Sequence, residues 1–284
     1  MYQLTSLGHP IDTSPDIFGF LKTSNDIRNN HDLLQRRMKE DGYLFLRDIL
    51  DHDIVMDARR EILEKLASID EIHPDFPLMD AIASNNSRRK EIDIKPFLKD
   101  LRTGAAYDRL CHEGRVMEFF DHFLGGPARA FDYLWLRTVG VGHATGCHYD
   151  VVYMGRGTKD LYTAWIPIGD VPLTDGALMI LEYSHRLEDL KKTYGTGDVD
   201  RDKIDGWLSR NPPLARNTYG GRWLTAEFKP GDLLCFSMFT LHCSLDNQSP
   251  VNRIRISSDS RYQLAAEPID ERWIGTDPIA HGGN

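Results

Sequence analysis

Apolar residues recur at helical spacing in the first part of the chain. Between residues 30 and 68 they predict two helices separated by a short strand, YLFL, and Gly42 is expected to end the first helix. The stretch RVMEFFDHFLG predicts another amphipathic helix, which ends at Gly125. The first 30 residues show little periodicity and are expected to form an arm. The region 1–127 is therefore predicted to be mostly helical.

From about residue 128 to residue 263, short apolar runs alternate with turn signals, as in LYTAWIPIGD, GALMILEYSH and LLCFSMFTLH. Several short strands at this spacing predict a sandwich or a barrel-like jelly roll, with the earlier helices packed outside it. A long polar insert at 187–222 is either a lid or an ordinary surface excursion. We expect a mainly β fold with flanking helices, in one catalytic domain over 1–284 with a C-terminal tail at 264–284.

Charge and composition exclude several classes of function. The chain has 34 Lys and Arg against 43 Asp and Glu, a net charge of −9, so no basic stripe is available for nucleic acid or anionic lipid. No segment approaches the roughly 20 apolar residues that span a bilayer. Four scattered cysteines indicate reduced thiols rather than a disulfide scaffold. These features predict a soluble, cytoplasmic protein whose partner is a small-molecule substrate; they predict no oligomeric state.

Candidate metal chemistry begins with the sequence His-x-Asp, which occurs twice although about one occurrence is expected by chance. At residues 73–75 a central proline argues against a regular strand. The other occurrence, GCHYDVVYMG, holds His148 and Asp150 in a β-like run, and His242 follows the apolar strand after the turn KPGD. If those strands are neighbours in a jelly roll, the three side chains form the two-histidine, one-carboxylate set of non-haem Fe(II) oxygenases.

The stretch NRIRISSDSRYQ supplies a further observation, because its polar residues alternate with period two. One face of this predicted strand carries a polar set and the other carries isoleucine. The polar set is Arg253, Arg255, Ser257, Asp259 and Arg261. An arginine that faces a β core is costly unless it meets an anion, and a dicarboxylate co-substrate would be such a partner. An outward, solvated face is the alternative.

Taken together, these motifs resemble the phytanoyl-CoA dioxygenase-like branch of the Fe(II)/2-oxoglutarate oxygenases. The similar blocks cover most of residues 38–263 and are MKEDGYLFLRDILD, HYD, TAWIPIGD, TDGALMILEYSHR, FKPGDLLCFSMFTLHCSLDN and RIRISSDSRYQ. The resemblance implies a double-stranded β-helix core of the cupin-like jelly-roll type. It also implies that His148, Asp150 and His242 hold Fe(II), and that 2-oxoglutarate and O2 are co-substrates.

The same resemblance implies roles for residues around the metal. Arg253, eleven residues after the second histidine ligand, is the expected anchor of the distal carboxylate of 2-oxoglutarate, helped by Ser244, with Trp165 lining the pocket. Arg255 is the alternative anchor, because many relatives carry the same pattern after a shorter loop. Arg137 resembles an arginine that some relatives direct into the pocket, and packing on the barrel exterior is its alternative role.

The implied reaction is oxidation of a small organic molecule, with hydroxylation as the default and release of succinate and CO2. A carboxylate at Asp150 argues against the halogenating variant of this chemistry, whereas desaturation, epoxidation and ring closure use the same ligands. The alternatives are a cupin-type metal enzyme that does not use 2-oxoglutarate, and a non-catalytic metal-binding or sensor protein of the same fold. The substrate pocket is expected to involve the loop at 71–92, the segment after Asp150 and the insert at 187–222.

Overall fold

A computed structural model describes residues 3–281 of the chain. Its helices are α1 His31–Asp41, α2 His52–Ala67, α3 Ile94–Arg102, α4 Ala105–His112, α5 Arg115–Leu124, α6 Val151–Met154, α7 Glu188–Lys192 and α8 Pro212–Tyr219. Its strands are β1 Thr5–Ser6, β2 His9–Pro10, β3 Phe18–Phe20, β4 Tyr43–Leu46, β5 Ala128–Ala130, β6 Trp135–Val139, β7 Tyr162–Pro167, β8 Leu178–Leu181, β9 Trp223–Thr225, β10 Leu233–Ser237, β11 His242–Ser244 and β12 Arg255–Leu264. Single 3-10 turns lie at Asn25–Ile27, Leu78–Asp80, Ser184–Arg186, Tyr194–Thr196 and Glu271–Trp273.

Two sheets form the core of the fold. The larger sheet has the order β4-β10-β7-β12-β5, with β6 also paired to β12, and the smaller has the order β11-β8-β9-β3. The pairings are antiparallel except for β3 with β9. The predicted jelly roll with flanking helices is confirmed. None of the helices in the described part of the chain is long and apolar enough to cross a membrane.

Successive side chains of β7 point into two different hydrophobic cores, one on each face of the larger sheet. Trp165 belongs to the cluster that joins the two sheets and also takes in residues of the N-terminal arm and the insert. Ala164 and Ile166 belong to a second cluster, between the larger sheet and the helices. Because successive side chains of a strand point to opposite faces, Thr163 shares the face of Trp165 and is directed between the sheets. This face of the larger sheet carries the polar groups described below.

The helices cover the outer face of the larger sheet. Helix α2 begins at Asp51, whose side chain accepts a hydrogen bond from the amide of Asp53, and its apolar face is buried. The aromatic ring of Phe120 in α5 stacks on Tyr262 of β12 with centroids 3.9 Å apart. Helix α1 ends at Gly42, which has a φ of 79°, as the sequence predicted. These contacts bury the even-numbered side of β12.

The N-terminal region contributes strands as well as helices. The predicted strand YLFL is β4, and all four of its residues are buried, so it shows no polar alternation. Strand β3 lies in the arm at residues 1–30, where the sequence predicted no strand. Only three of its residues pair, which is too short a run to give a periodic signal. The texture of the sequence changes near residue 128, as predicted. Each of the two sheets nevertheless contains one strand from before that residue, β4 in the larger sheet and β3 in the smaller.

Truncation of the buried face of α2 tests this packing. Ile62 has no exposed surface, so Ile62→Ala is expected to lower the free energy of unfolding by about 2–5 kcal/mol through lost burial and a residual cavity. Urea unfolding followed by circular dichroism measures the change. Glu64→Ala, at an exposed position of the same helix, should stay within about 0.5 kcal/mol of the parent protein. Equal effects of the two substitutions would contradict the assigned face.

Candidate metal centre

Two short segments that are far apart in the sequence run side by side at the candidate metal centre. The amide of His148 donates to the carbonyl of His242 over 3.0 Å, and the amide of His242 donates to the carbonyl of His148 over 3.1 Å. This antiparallel pair sets the two imidazole rings beside each other, with centroids 4.1 Å apart. The structure therefore brings together the two histidines that the sequence singled out.

Asp150 completes a group of three possible ligands. Its Oδ1 atom lies 3.6 Å from Nε2 of His148 and 3.8 Å from Nε2 of His242. Candidate ligand atoms of the three residues all lie within 4.8 Å of one another, and no other such group is found among residues 3–281. Ligand distances of about 2.0–2.2 Å allow one ion to bind all three atoms.

Hydrogen bonds to the backbone prepare both imidazoles as ligands. Nδ1 of His148 donates to the carbonyl of Gly146 over 2.8 Å, and Nδ1 of His242 donates to the carbonyl of Thr240 over 3.0 Å. A carbonyl only accepts, so the proton of each neutral ring lies on Nδ1 and the lone pair on Nε2. Burial, together with the neighbouring His148, lowers the pKa of His242 to about 4. In both rings Nδ1 is occupied by the backbone, which leaves Nε2 available to a metal.

The second oxygen of Asp150 is held by the protein. Oδ2 accepts hydrogen bonds from the hydroxyl of Thr163 and, over 3.1 Å, from the guanidinium group of Arg261. Burial by itself would raise the pKa of Asp150, but Arg261, His242 and His148 together outweigh it and hold this pKa well below the usual range of a carboxyl group. The carboxylate is therefore ionised, and Oδ1 faces the two histidines.

The polar side of β12 faces the same interior. Arg255 is only 3% exposed, and its NH1 group donates to Oγ of Ser257 over 2.5 Å. Its Nε atom is buried without a hydrogen-bond partner in the part of the chain that the structure describes. Burial lowers the pKa of Arg255 to about 10, although the nearby Asp259 opposes this effect. The site thus contains a buried cationic group with spare hydrogen-bonding capacity.

Arg253 occupies a different environment, although it was the expected anchor. Its NH1 group pairs with Oδ2 of Asp175 over 3.1 Å, and its side chain is 32% exposed. It precedes β12 and lies beside the loop at 71–92 through a bridge to Ile82. Arg253 thus already has a buried carboxylate partner, whereas the partner of Arg255 is a hydroxyl group. The role of this loop in the substrate pocket stays a prediction.

The other predicted site residues, Trp165, Ser244 and Arg137, have three different environments. Trp165 is buried on the interior face of β7 and packs on Phe228 with centroids 4.6 Å apart. Ser244 is on the face of β11 that carries His242, and its Oγ accepts a hydrogen bond of 2.9 Å from the amide of Thr145. Arg137, whose side chain is 40% exposed, donates through Nε to Asp259 over 2.8 Å. It is therefore tied into the charged interior of the barrel.

Segments that join the strands cover the metal centre. The insert runs beside the His148 segment, where Cys147 exchanges backbone hydrogen bonds of 2.8 and 2.9 Å with Leu208 and Ser209. The ring of Trp207 packs so closely on Gly146 that a Cβ atom there would lie 2.5 Å from it. The ring of Tyr153, in α6, lies 5.5 Å from that of His148. The insert and the segment after Asp150 therefore both lie beside His148, and their contribution to a substrate pocket stays a prediction.

The C-terminal tail also reaches this cover, which the sequence did not predict. Arg272 pairs with Asp270 over 2.6 Å and with Asp200 of the insert, and it donates to the carbonyl of Tyr153 over 2.8 Å. The ring of His281 lies 5.8 Å from that of Tyr153. An ion pair therefore connects the tail to the insert, and a hydrogen bond connects the tail to α6. The charges of the tail and the insert were visible in the sequence, but their partners were not.

A jelly roll with two imidazoles and one carboxylate on its inner surface has the ligand set of a non-haem metal enzyme of the facial-triad type. Comparison with known families specifies the class further. Residues 38–255 match the family described as Phytanoyl-CoA dioxygenase (PhyH), and the chain belongs to this family. It is therefore a non-haem Fe(II)- and 2-oxoglutarate-dependent oxygenase, the class that the sequence predicted.

Similar proteins include a curated enzyme and solved structures. The chain is 26% identical over 247 residues to 1-deoxypentalenic acid 11-beta-hydroxylase of Streptomyces exfoliatus, covering 84% of this chain and 83% of that protein. The non-heme alpha ketoglutarate dependent epimerase SnoN from nogalamycin biosynthesis is 19% identical with a TM-score of 0.55, covering 89% of this chain and 94% of SnoN. EctD from S. alaskensis is 17% identical with a TM-score of 0.56, covering 94% and 88%. These structural similarities support the fold.

Loss of one candidate ligand tests the metal centre. His242→Ala should weaken binding of Mn(II) or Co(II) by more than the roughly 100-fold that loss of an outer-shell partner costs, because it removes a direct ligand. Isothermal titration calorimetry on metal-free protein measures the affinity, and circular dichroism checks the fold. His143→Ala is the matched control, since His143 is exposed and outside the triad. Tight binding retained in His242→Ala would contradict the assignment.

Proposed function

We propose that this oxygenase hydroxylates a small organic molecule and that His148, Asp150 and His242 hold its Fe(II). The observation that carries the proposal is the convergence of two Nε2 atoms and one carboxylate oxygen while the other polar atoms of the same side chains are occupied. Two imidazoles and one carboxylate suit Fe(II) and leave coordination positions open. When bound, the iron activates O2 for substrate oxidation as 2-oxoglutarate is converted to succinate and CO2.

We propose that Arg255 binds the distal carboxylate of 2-oxoglutarate. A buried guanidinium group with an unpartnered Nε atom is costly, and a carboxylate would satisfy it with charge-assisted hydrogen bonds. Three cations of the interior, Arg137, Arg255 and Arg261, face the two carboxylates of Asp150 and Asp259. This excess of positive charge supports binding of a dianion.

The remaining predicted residues would shape the co-substrate site. Trp165 provides a rigid apolar wall on the interior face of β7, and Ser244 has a hydroxyl proton to donate because its oxygen already accepts a hydrogen bond. Arg137 holds Asp259 through Nε, and within the described residues its two terminal nitrogen atoms are left for an anion. We propose that these three residues orient 2-oxoglutarate around the iron and exclude water from it.

Hydroxylation is proposed because the curated relatives are named as hydroxylases of a small molecule, 1-deoxypentalenic acid. The aromatic cover of Tyr153 and Trp207 suits a substrate with an apolar body. A metal enzyme that does not use 2-oxoglutarate would have no need for the buried Arg255, and a binding protein would have no need for an intact triad. A cytoplasmic location, consistent with four free cysteines, stays a prediction.

Anaerobic titration of the Fe(II) protein with 2-oxoglutarate tests the proposed anchor. Wild-type protein should develop the weak visible charge-transfer band of the chelate. Arg255→Gln should raise the dissociation constant for 2-oxoglutarate at least about 100-fold, about 2.7 kcal/mol, because an anion would then lack its buried partner. Arg253→Gln is the matched control and should change it less than about threefold, a difference of roughly 0.7 kcal/mol.

The outcomes separate the alternatives. If Arg253→Gln abolishes binding and Arg255→Gln does not, the assignment by spacing was right and the one proposed here is wrong. If Fe(II) binds tightly but no band develops in wild-type protein, the cupin-type or non-catalytic alternative gains support.

The first substrate to test is 1-deoxypentalenic acid, the compound that appears in the name of the hydroxylase relatives. Hydroxylation predicts that a true substrate stimulates succinate release and that its mass increases by one oxygen atom. Liquid chromatography with mass spectrometry measures both products from the same reaction. A product that has lost two hydrogen atoms without gaining oxygen would instead indicate desaturation or ring closure.

A further inference from the structure

We propose that Thr163 and Arg261 are positioning residues that make Asp150 bind the metal through one oxygen atom only. This inference rests on the proposed function, because it concerns the iron ligand Asp150. It assigns a role to two residues that are not themselves metal ligands. Their contribution would be to keep a coordination position available for 2-oxoglutarate or O2.

The two donors converge on the same oxygen from neighbouring strands. Thr163 of β7 and Arg261 of β12 are direct cross-strand partners, and both donate to Oδ2 of Asp150. Oδ1 accepts from neither residue and lies 3.6 and 3.8 Å from the two histidine nitrogens. The two oxygens of one carboxylate are therefore in different environments.

All three groups are shielded from water. Thr163 is fully buried, Asp150 is 1% exposed and Arg261 is 2% exposed. Water does not replace a lost hydrogen bond at such a site, so breaking either contact leaves a buried polar group unsatisfied. The arrangement is consequently stable only when both donors reach Oδ2.

Arg261 is itself fixed by its surroundings. Its NH1 group donates to the carbonyl of Asp259, and its guanidinium group lies 4.5 Å from the centroid of the Trp135 ring. Trp135 in turn packs on Tyr133 and Trp273, with centroids 4.7 and 4.8 Å away. A guanidinium group held in this way sets the orientation of the carboxylate rather than following it.

A carboxylate binds a metal through one oxygen or through both. Binding through both oxygens would require Asp150 to turn and to break two hydrogen bonds, one of which is charge-assisted. A second oxygen on the ion would also occupy one of the positions that the facial triad leaves open. Thr163 and Arg261 therefore favour the coordination that the proposed reaction needs.

Conservative substitutions of Thr163 test this role. Thr163→Val removes the hydroxyl and keeps the shape, whereas Thr163→Ser keeps the hydroxyl. In Co(II)-substituted protein without 2-oxoglutarate, Thr163→Val should change the energies and intensities of the visible d–d bands, because these depend on coordination number. In the Fe(II) protein it should weaken 2-oxoglutarate binding about 10-fold. Thr163→Ser should restore wild-type values in both measurements.

Thr225→Val is the matched control for loss of a buried hydroxyl. Thr225 is fully buried in β9, and its hydroxyl donates to the carbonyl of Leu178 over 2.6 Å, away from Asp150. It should lower thermal stability without altering the Co(II) bands. A wild-type spectrum in Thr163→Val, or an equal change in Thr225→Val, would overturn the proposal.

A second variant and a measurement without 2-oxoglutarate complete the test. If Thr163→Val does not fold, Arg261→Lys is measured in its place, because lysine keeps the charge and loses the planar fork; an unchanged Co(II) spectrum there overturns the proposal. The Co(II) measurement needs no 2-oxoglutarate. If wild-type protein fails to bind 2-oxoglutarate while the Co(II) bands still respond to Thr163→Val, the proposed function fails and the positioning role stands.

Discussion

The candidate metal centre depends on the register between two short segments. Reciprocal backbone hydrogen bonds pair His148 with His242, and this pairing directs both imidazoles to one face. A slip of one residue would reverse the faces, because side chains alternate along a strand. The interior would then receive Cys147 and Cys243, which are buried on the opposite face in the present register. The backbone therefore selects which side chains can meet a metal.

Charge balance is the second constraint on the interior of the barrel. Burying arginine and aspartate there is costly unless each group has a partner, and most of them pair with one another. Asp259 accepts from Arg137, and Asp150 accepts from Arg261. Among residues 3–281, Arg255 has only a hydroxyl partner and an unsatisfied Nε atom. Strand β12 can thus hold Asp150 in place through Arg261 and attract an anionic co-substrate through Arg255.

The sequence could predict the fold and the triad because both leave periodic or chemical signals. Strand alternation placed Arg253 and Arg255 on one face, but it does not encode where the strand begins. β12 starts at Arg255, while Arg253 lies in the preceding segment, where it pairs with Asp175. Thr163 gave no signal, since a threonine in a strand is common and its partner lies 13 residues away in the chain. Long-range partners of this kind become visible only in three dimensions.

The residues of the candidate metal centre and the segments that cover it belong to different parts of the fold. The groups proposed to hold the metal and the co-substrate lie on or directly beside paired strands, where hydrogen bonds fix the backbone. The cover comes from α6, the insert and the C-terminal tail. Ion pairs join the insert to Arg156, which follows α6, and to Arg272 of the tail. Connections tolerate sequence change better than paired strands. Relatives can therefore keep one oxidative chemistry on the sheets while the connections adapt the pocket to different substrates.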